Sequence, residues 1–129
     1  MAIRIVRLGS PRAPAEGIRL GTVRRTPRGV SKADYSRRDY FDLWLPELAP
    51  SAALLTWARA GPLTDARWLT FARRYRSEMS RPPAKRLIAL LAALSTTSEL
   101  SIGCFCEDQQ RCHRSLLGEL LAGAGAMMG

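Results

Sequence analysis

The chain has 129 residues, 47% of them hydrophobic and 24% charged, with a formal net charge of +9. That length fits one domain, 1–129, able to bury a core without disulfides or a structural metal. The cysteine count, three, is odd, which argues against a disulfide framework and for a reducing cytoplasm.

No continuous apolar stretch follows the start MAIRIVRLGSPRAP, so no secretory signal is expected. The longest apolar run, LIALLAAL at 87–94, is too short to cross a bilayer. The charge is uneven. Residues 1–38 carry nine arginines and Lys32 against Glu16 and Asp34, a balance of +8, whereas 39–129 sum to +1. This basic strand and loop segment favours anionic partners, either nucleic acid or a small phosphate- or carboxylate-bearing ligand.

In chain order, IRIVRL at 3–8 alternates apolar and basic residues and predicts a strand. IRLGTV at 18–23 predicts a second, after the Pro/Gly loop SPRAPAEG. RRTPRGVSKAD at 24–34 is a basic connector, and 35–50 is irregular, with Tyr40, Phe41, Leu43 and Trp44 anchoring it on the core. Three helices follow: one over 52–60 capped by Ser51, one capped by Asp65 and one begun by Pro82-Pro83. The second places Trp68, Ala72, Tyr75 and Met79 at helical spacing, and the third does so with Leu87, Leu90, Leu91 and Leu94. LSIGCFC at 100–106 predicts a buried strand, and 109–122 a last helix, so that 100–122 is a strand-turn-helix unit. The pattern is that of an α/β protein with a small sheet of about three or four mostly parallel strands packed with helices.

All three cysteines and the single histidine fall in CFCEDQQRCHR, residues 104–114. Strand periodicity puts Cys104 and Cys106 on one face, and His113 heads the stripe Leu116, Leu117, Leu120 of the helix. The segment therefore lies beyond the carboxyl end of a strand, where open α/β sheets bind ligands. Four chemistries compete there. Cys104, Cys106, Cys112 and His113 form a Cys₃His set suited to zinc, although C-x-C-x₅-C-H is not a familiar zinc spacing. Cys106 or Cys112 could act as an activated thiol, Cys112 being favoured by Arg111, His113 and Arg114. His113 and Arg114 could hold an anion at the helix start. The fourth reading is plain packing, which fits Cys104 best. A phosphatase-type anion loop is excluded, because CEDQQRCHR has no glycine and two acids where the anion would sit.

Several segments carry a resemblance. RRTPRG at 24–29 is similar to an R-x-W-P-R-G pattern at Arg24, Pro27, Arg28 and Gly29, with Thr26 in place of tryptophan. Lys32 and Asp34, DLW at 42–44, PS at 50–51, FARRYRSEM at 71–79, Cys106-Glu107 and the CHR of 112–114 continue it. Over most of its length the chain resembles the YeaO-like family, domain of unknown function 488, in its cysteine-bearing branch. The resemblance implies a small cytoplasmic α/β protein of bacterial or archaeal type, with no assigned activity. It also implies that the two signature regions share one site, Arg24, Arg28 and Lys32 facing Glu107, His113 and Arg114.

The expectation is an anion-binding site whose catalytic residues, if it is an enzyme, are Glu107 and His113. Arg24, Arg28, Lys32 and Arg114 bind the ligand, and Cys106 and Cys112 supply thiols. The alternatives are a nucleic-acid module, with Tyr35, Tyr40 and Trp44 for stacking, and a Cys/His metal or redox module. Cofactor, ligand and oligomeric state are not legible from the sequence.

Overall fold

In the computed structural model, which describes residues 1–106 and 111–129, the alternating segment IRIVR becomes β1 (Ile3–Arg7). IRLG becomes β2 (Ile18–Gly21) and LSIGC becomes β4 (Leu100–Cys104). A two-residue strand, β3 (Leu43–Trp44), lies in the segment read as irregular. The four strands form one all-parallel sheet in the order β1-β4-β2-β3, with β4 central and in register with Ile3–Arg7 on one side and Ile18–Gly21 on the other. The expected small α/β sheet is present.

The helices are α1 (Ala52–Arg59), α2 (Asp65–Met79), α3 (Ala84–Leu94) and α4 (His113–Gly123). One sheet face, carrying Ile3, Leu20, Leu100 and Ile102, packs into a core with Leu54, Phe71, Tyr75, Leu91, Leu117 and Leu121 of the helices. The opposite face carries a second, smaller apolar cluster that includes Leu8, Phe41 and Val6. There Gly21 and Gly103 sit side by side in register and let Phe41 and Leu8 lie directly on the strands. A methyl carbon at Gly103 would stand 2.6 Å from Leu8 and 2.8 Å from the Val6 carbonyl oxygen, and one at Gly21 would stand 2.3 Å from the Phe41 ring.

Four local expectations need correction. Thr64, not Asp65, caps α2: its side chain accepts the Arg67 amide, and Asp65 is the first helical residue. In α3 the buried residues are Ala84, Ile88, Leu91 and Ala92, while Leu90 and Leu94 are exposed. Leu91 is buried and Leu87 is half-buried against the core, while Ile88 and the small Ala84 and Ala92 complete the inward stripe in place of Leu90 and Leu94. Leu43 and Trp44 are exposed rather than anchored, for they form an edge strand; the Trp44 indole N–H donates to the Val23 carbonyl, 2.8 Å. Finally, β4 ends at Cys104, which releases Cys106 from the sheet. Among the described residues no helix is long and apolar enough to cross a membrane.

Candidate functional site

Beyond the carboxyl ends of β2 and β4 the chain encloses a cavity of about 260 Å³. Its walls follow from the topology. After β2 the chain contributes Val23, Arg24 and Arg25; after β4 it contributes Cys104, Phe105 and Cys106, and His113 comes from the start of α4. The facing wall is one side of α1, where Ala52, Leu55, Thr56 and Arg59 recur at helical spacing. Ser51 fixes that wall. Its hydroxyl accepts the Leu54 amide, and its own amide donates to Glu78 of α2 at 2.8 Å.

Three arginines line this cavity, and no acid is among its described lining residues. Arg24 is held by Nε to the Pro50 carbonyl, 3.0 Å, and Nη2 to the Ala49 carbonyl, 3.3 Å. Its Nη1 has no partner among the described residues. Arg25 and Arg59 make no hydrogen bond or ion pair with them either, so both charges remain available to a ligand.

His113 is buried, and its Nε2 lies 2.6 Å from the Thr22 carbonyl oxygen. A carbonyl only accepts, so Nε2 carries the proton and Nδ1 keeps its lone pair, 3.8 Å from the Cys112 sulfur. Burial pushes the imidazole down to about 4, although the Thr22 carbonyl opposes that change. At neutral pH the ring is therefore uncharged and cannot act as the cationic anion donor the sequence invited.

The three sulfurs converge. Those of Cys104, Cys106 and Cys112 all lie within 4.8 Å of one another, and Cys104 and Cys106 are 3.4 Å apart. Such a cluster is close enough to hold one metal ion. His113 touches it through Cys112 alone. Cys106 is the exposed member, the other two being buried. Hydrogen bonds from the Cys104 and Cys112 thiols hold the Cys106 thiol far below its ordinary value, against the contrary effect of burial. The same bonds raise Cys104 and Cys112, so in the metal-free protein the cluster keeps one thiolate, on Cys106.

Arg114 is buried beneath the strand ends, with Nη1 donating to the Val6 and Cys104 carbonyls at 3.1 Å each. Its Nε has no partner among the described residues. It lines the underside of the thiol cluster and not the cavity.

Of the residues expected to share one site, Arg24, Cys106 and His113 do line a common cavity, with Cys104 beside them. Arg28 and Lys32 do not. Both are exposed on the connector, which turns away at Gly29, and Lys32 borders a separate depression with Tyr35 and Trp44. Glu107 falls outside the described residues. Arg25 and Arg59 went unread; the spacing 52, 55, 56, 59 was the one signal that could have found Arg59.

A family model described as the active DUF488-N3 subclade, DUF488-N3a, matches residues 3–125. Neither the curated proteins nor the solved structures give a match. Since the match spans nearly the whole chain, the protein belongs to this DUF488 family, and the three neighbouring cysteines agree with its cysteine-bearing branch.

Proposed function

We propose that this DUF488 domain binds a small anionic ligand, bearing phosphate or carboxylate, in the cavity beyond β2 and β4. One observation carries the reading: Arg24, Arg25 and Arg59 converge on a half-open cavity of about 260 Å³ that no described acid lines. Uncompensated cations around a concave, partly apolar space favour an anion, and planar guanidinium groups match the oxygens of phosphate or carboxylate. Leu55, Val23 and Phe105 leave room for an apolar body behind the charged group. Cys106 stands on the same wall, so a bound ligand lies against its sulfur. Glu107, next in the chain, is the proposed acid or base, and Arg28 and Lys32 would meet the ligand only through its outer parts. Three free thiols suit the cytoplasm.

A nucleic-acid surface has less support. Arg4, Arg12, Arg19 and Arg37, four of the nine arginines of the basic segment, are paired with acids inside the same molecule. Tyr35 and Tyr40 pack on Phe41 and Phe105 instead of standing free for bases.

Calorimetric titration with inorganic phosphate, pyrophosphate and simple carboxylates tests the anion site. At least one should bind, and Arg59→Met and Arg25→Met should each weaken it roughly 10- to 100-fold, the ~1.5–3 kcal/mol of a charged hydrogen bond. Arg28→Met should change little. Equal binding in all three variants would remove the cavity from the reading.

A further inference from the structure

We infer that Cys104, Cys106 and Cys112 form a three-thiolate site for a thiophilic divalent ion, zinc in the first place, set into the cavity wall. The argument begins with spacing. Three sulfurs bound to one zinc at ~2.3 Å stand about 3.8 Å apart. The observed sulfurs lie close to that value, with 3.4 Å between Cys104 and Cys106 and none beyond 4.8 Å. Closing on an ion needs shifts of at most about an ångström, within the reach of side-chain rotation.

The backbone makes this arrangement without a zinc-finger knuckle. Cys104 is the last residue of β4, and Cys106, freed from the strand, turns back so that its sulfur meets that of Cys104. Cys112 immediately precedes α4 and approaches the pair from the helix side. The unfamiliar sequence spacing thus reflects a strand end facing a helix start. Soft sulfur donors select zinc, cadmium or copper(I) over magnesium or calcium.

Three protein ligands leave a fourth position. Cys104 and Cys106 line the cavity whereas Cys112 lies behind them, so this position opens towards the space bounded by the arginines. A zinc site with an open position is the kind that binds and polarises ligands. Three thiolates and one Zn²⁺ sum to −1, and the three arginines keep the cavity positive, so the anion site and the ion are compatible. His113 is a neighbour of this site and not its fourth ligand: its Nε2–H bond to Thr22 holds the ring, and among the described residues Nδ1 meets only the Cys112 sulfur. Arg114 supports the site from beneath, bonding the Cys104 carbonyl and bringing positive charge to the thiolates.

Cys106 is already a thiolate, so binding breaks the two S–H bonds of Cys104 and Cys112 and forms three S–metal bonds, and the two protons pass to solvent with no change of oxidation state. The last step, an anion in the open position, rests on the anion reading; the metal site does not.

Fully reduced, metal-free protein titrated with Cd²⁺ alone gives the test. One equivalent should bind, with thiolate-to-cadmium charge-transfer absorption of three sulfurs and protection of all three thiols from alkylation. Cys104→Ser, Cys106→Ser and Cys112→Ser should each cut the absorption by about one third and weaken Zn²⁺ in competition with a chelator. His113→Gln should retain the three-sulfur intensity. Absorption of two sulfurs or fewer in the parent protein, or alkylation undiminished by the ion, would overturn the site without recourse to variants. Arg59→Met separates the two proposals: it should lose phosphate and keep cadmium.

Discussion

His113 shows how far one hydrogen bond and one burial can define a residue. The Thr22 carbonyl fixes which nitrogen holds the proton, and the surrounding core holds the pKa near 4. The unfolded chain has an ordinary histidine near ~6.5, so between these values the unfolded state binds more protons than the folded one. Stability contributed by the neutral ring is thus full above about 6.5 and falls as pH drops towards 4. A shift of this size corresponds to about 3 kcal/mol. The Cys106 thiolate loses stability over the same window, so the ring's share is read in a Cys106→Ser background: there urea unfolding of the metal-free protein should lose up to about that amount between pH 7 and pH 4, and adding His113→Gln should remove this loss. Asp42 does not confuse the result. Held down to about 2 by Arg12, the Arg19 amide and Ser36 despite its burial, it costs stability only at pH below the ordinary carboxylate range. Nitrogen NMR should find the ring neutral, with its proton on Nε2, down to about pH 5.

At the level of elements, sequence reading works where one period dominates. The strands at 3–8, 18–23 and 100–106 and the helix begun by Ser51 are legible because alternation or a cap marks them within a few residues. In α3 nearly every position is apolar, so periodicity cannot choose a face; which stripe faces inward is decided by the helices opposite, through contacts distant in sequence. β3 was invisible for a related reason, since two residues pairing with β2 have no period at all. The thiol cluster lies between these cases. Its residues stood out by their scarcity, but Cys104 read as packing because nothing in C-x-C tells that the strand ends between the two cysteines. The same join shows in Gly103, whose missing side chain lets Leu8 and the Val6 carbonyl close over the end of β4. Gly103→Ala should cost about 1–3 kcal/mol by overpacking. In denaturant titrations the midpoint should fall with an unchanged slope, and displaced Leu8 should also alter alkylation of the neighbouring Cys104.

For the whole molecule the decisive charge lies inside. Arg19 reads from sequence as one more member of a basic block, yet its side chain is fully buried on the sheet face away from the helices. There it centres a polar network on the same face as the small apolar cluster of Leu8 and Phe41. Its guanidinium bonds both carboxylate oxygens of Glu16 at 2.9 and 2.8 Å and the carbonyls of Ser10 and Asp39 at 2.8 and 2.6 Å. Ser101 of β4 donates to the same Glu16, and the Arg19 amide donates to Asp42. Loops from both sides of the sheet are thereby gathered on one cation, which holds down the connector leading from β2 into the cavity. Desolvation makes such a pair a weak source of net stability but a costly one to break. Arg19→Met strands the buried Glu16 carboxylate and two carbonyls, and should remove about 3–5 kcal/mol. Adding Glu16→Gln removes the orphaned charge, so the double variant should be more stable than Arg19→Met alone. If instead the two losses simply add in urea unfolding, Arg19 and Glu16 are not acting as a pair, and the loops are held by the carbonyl bonds alone.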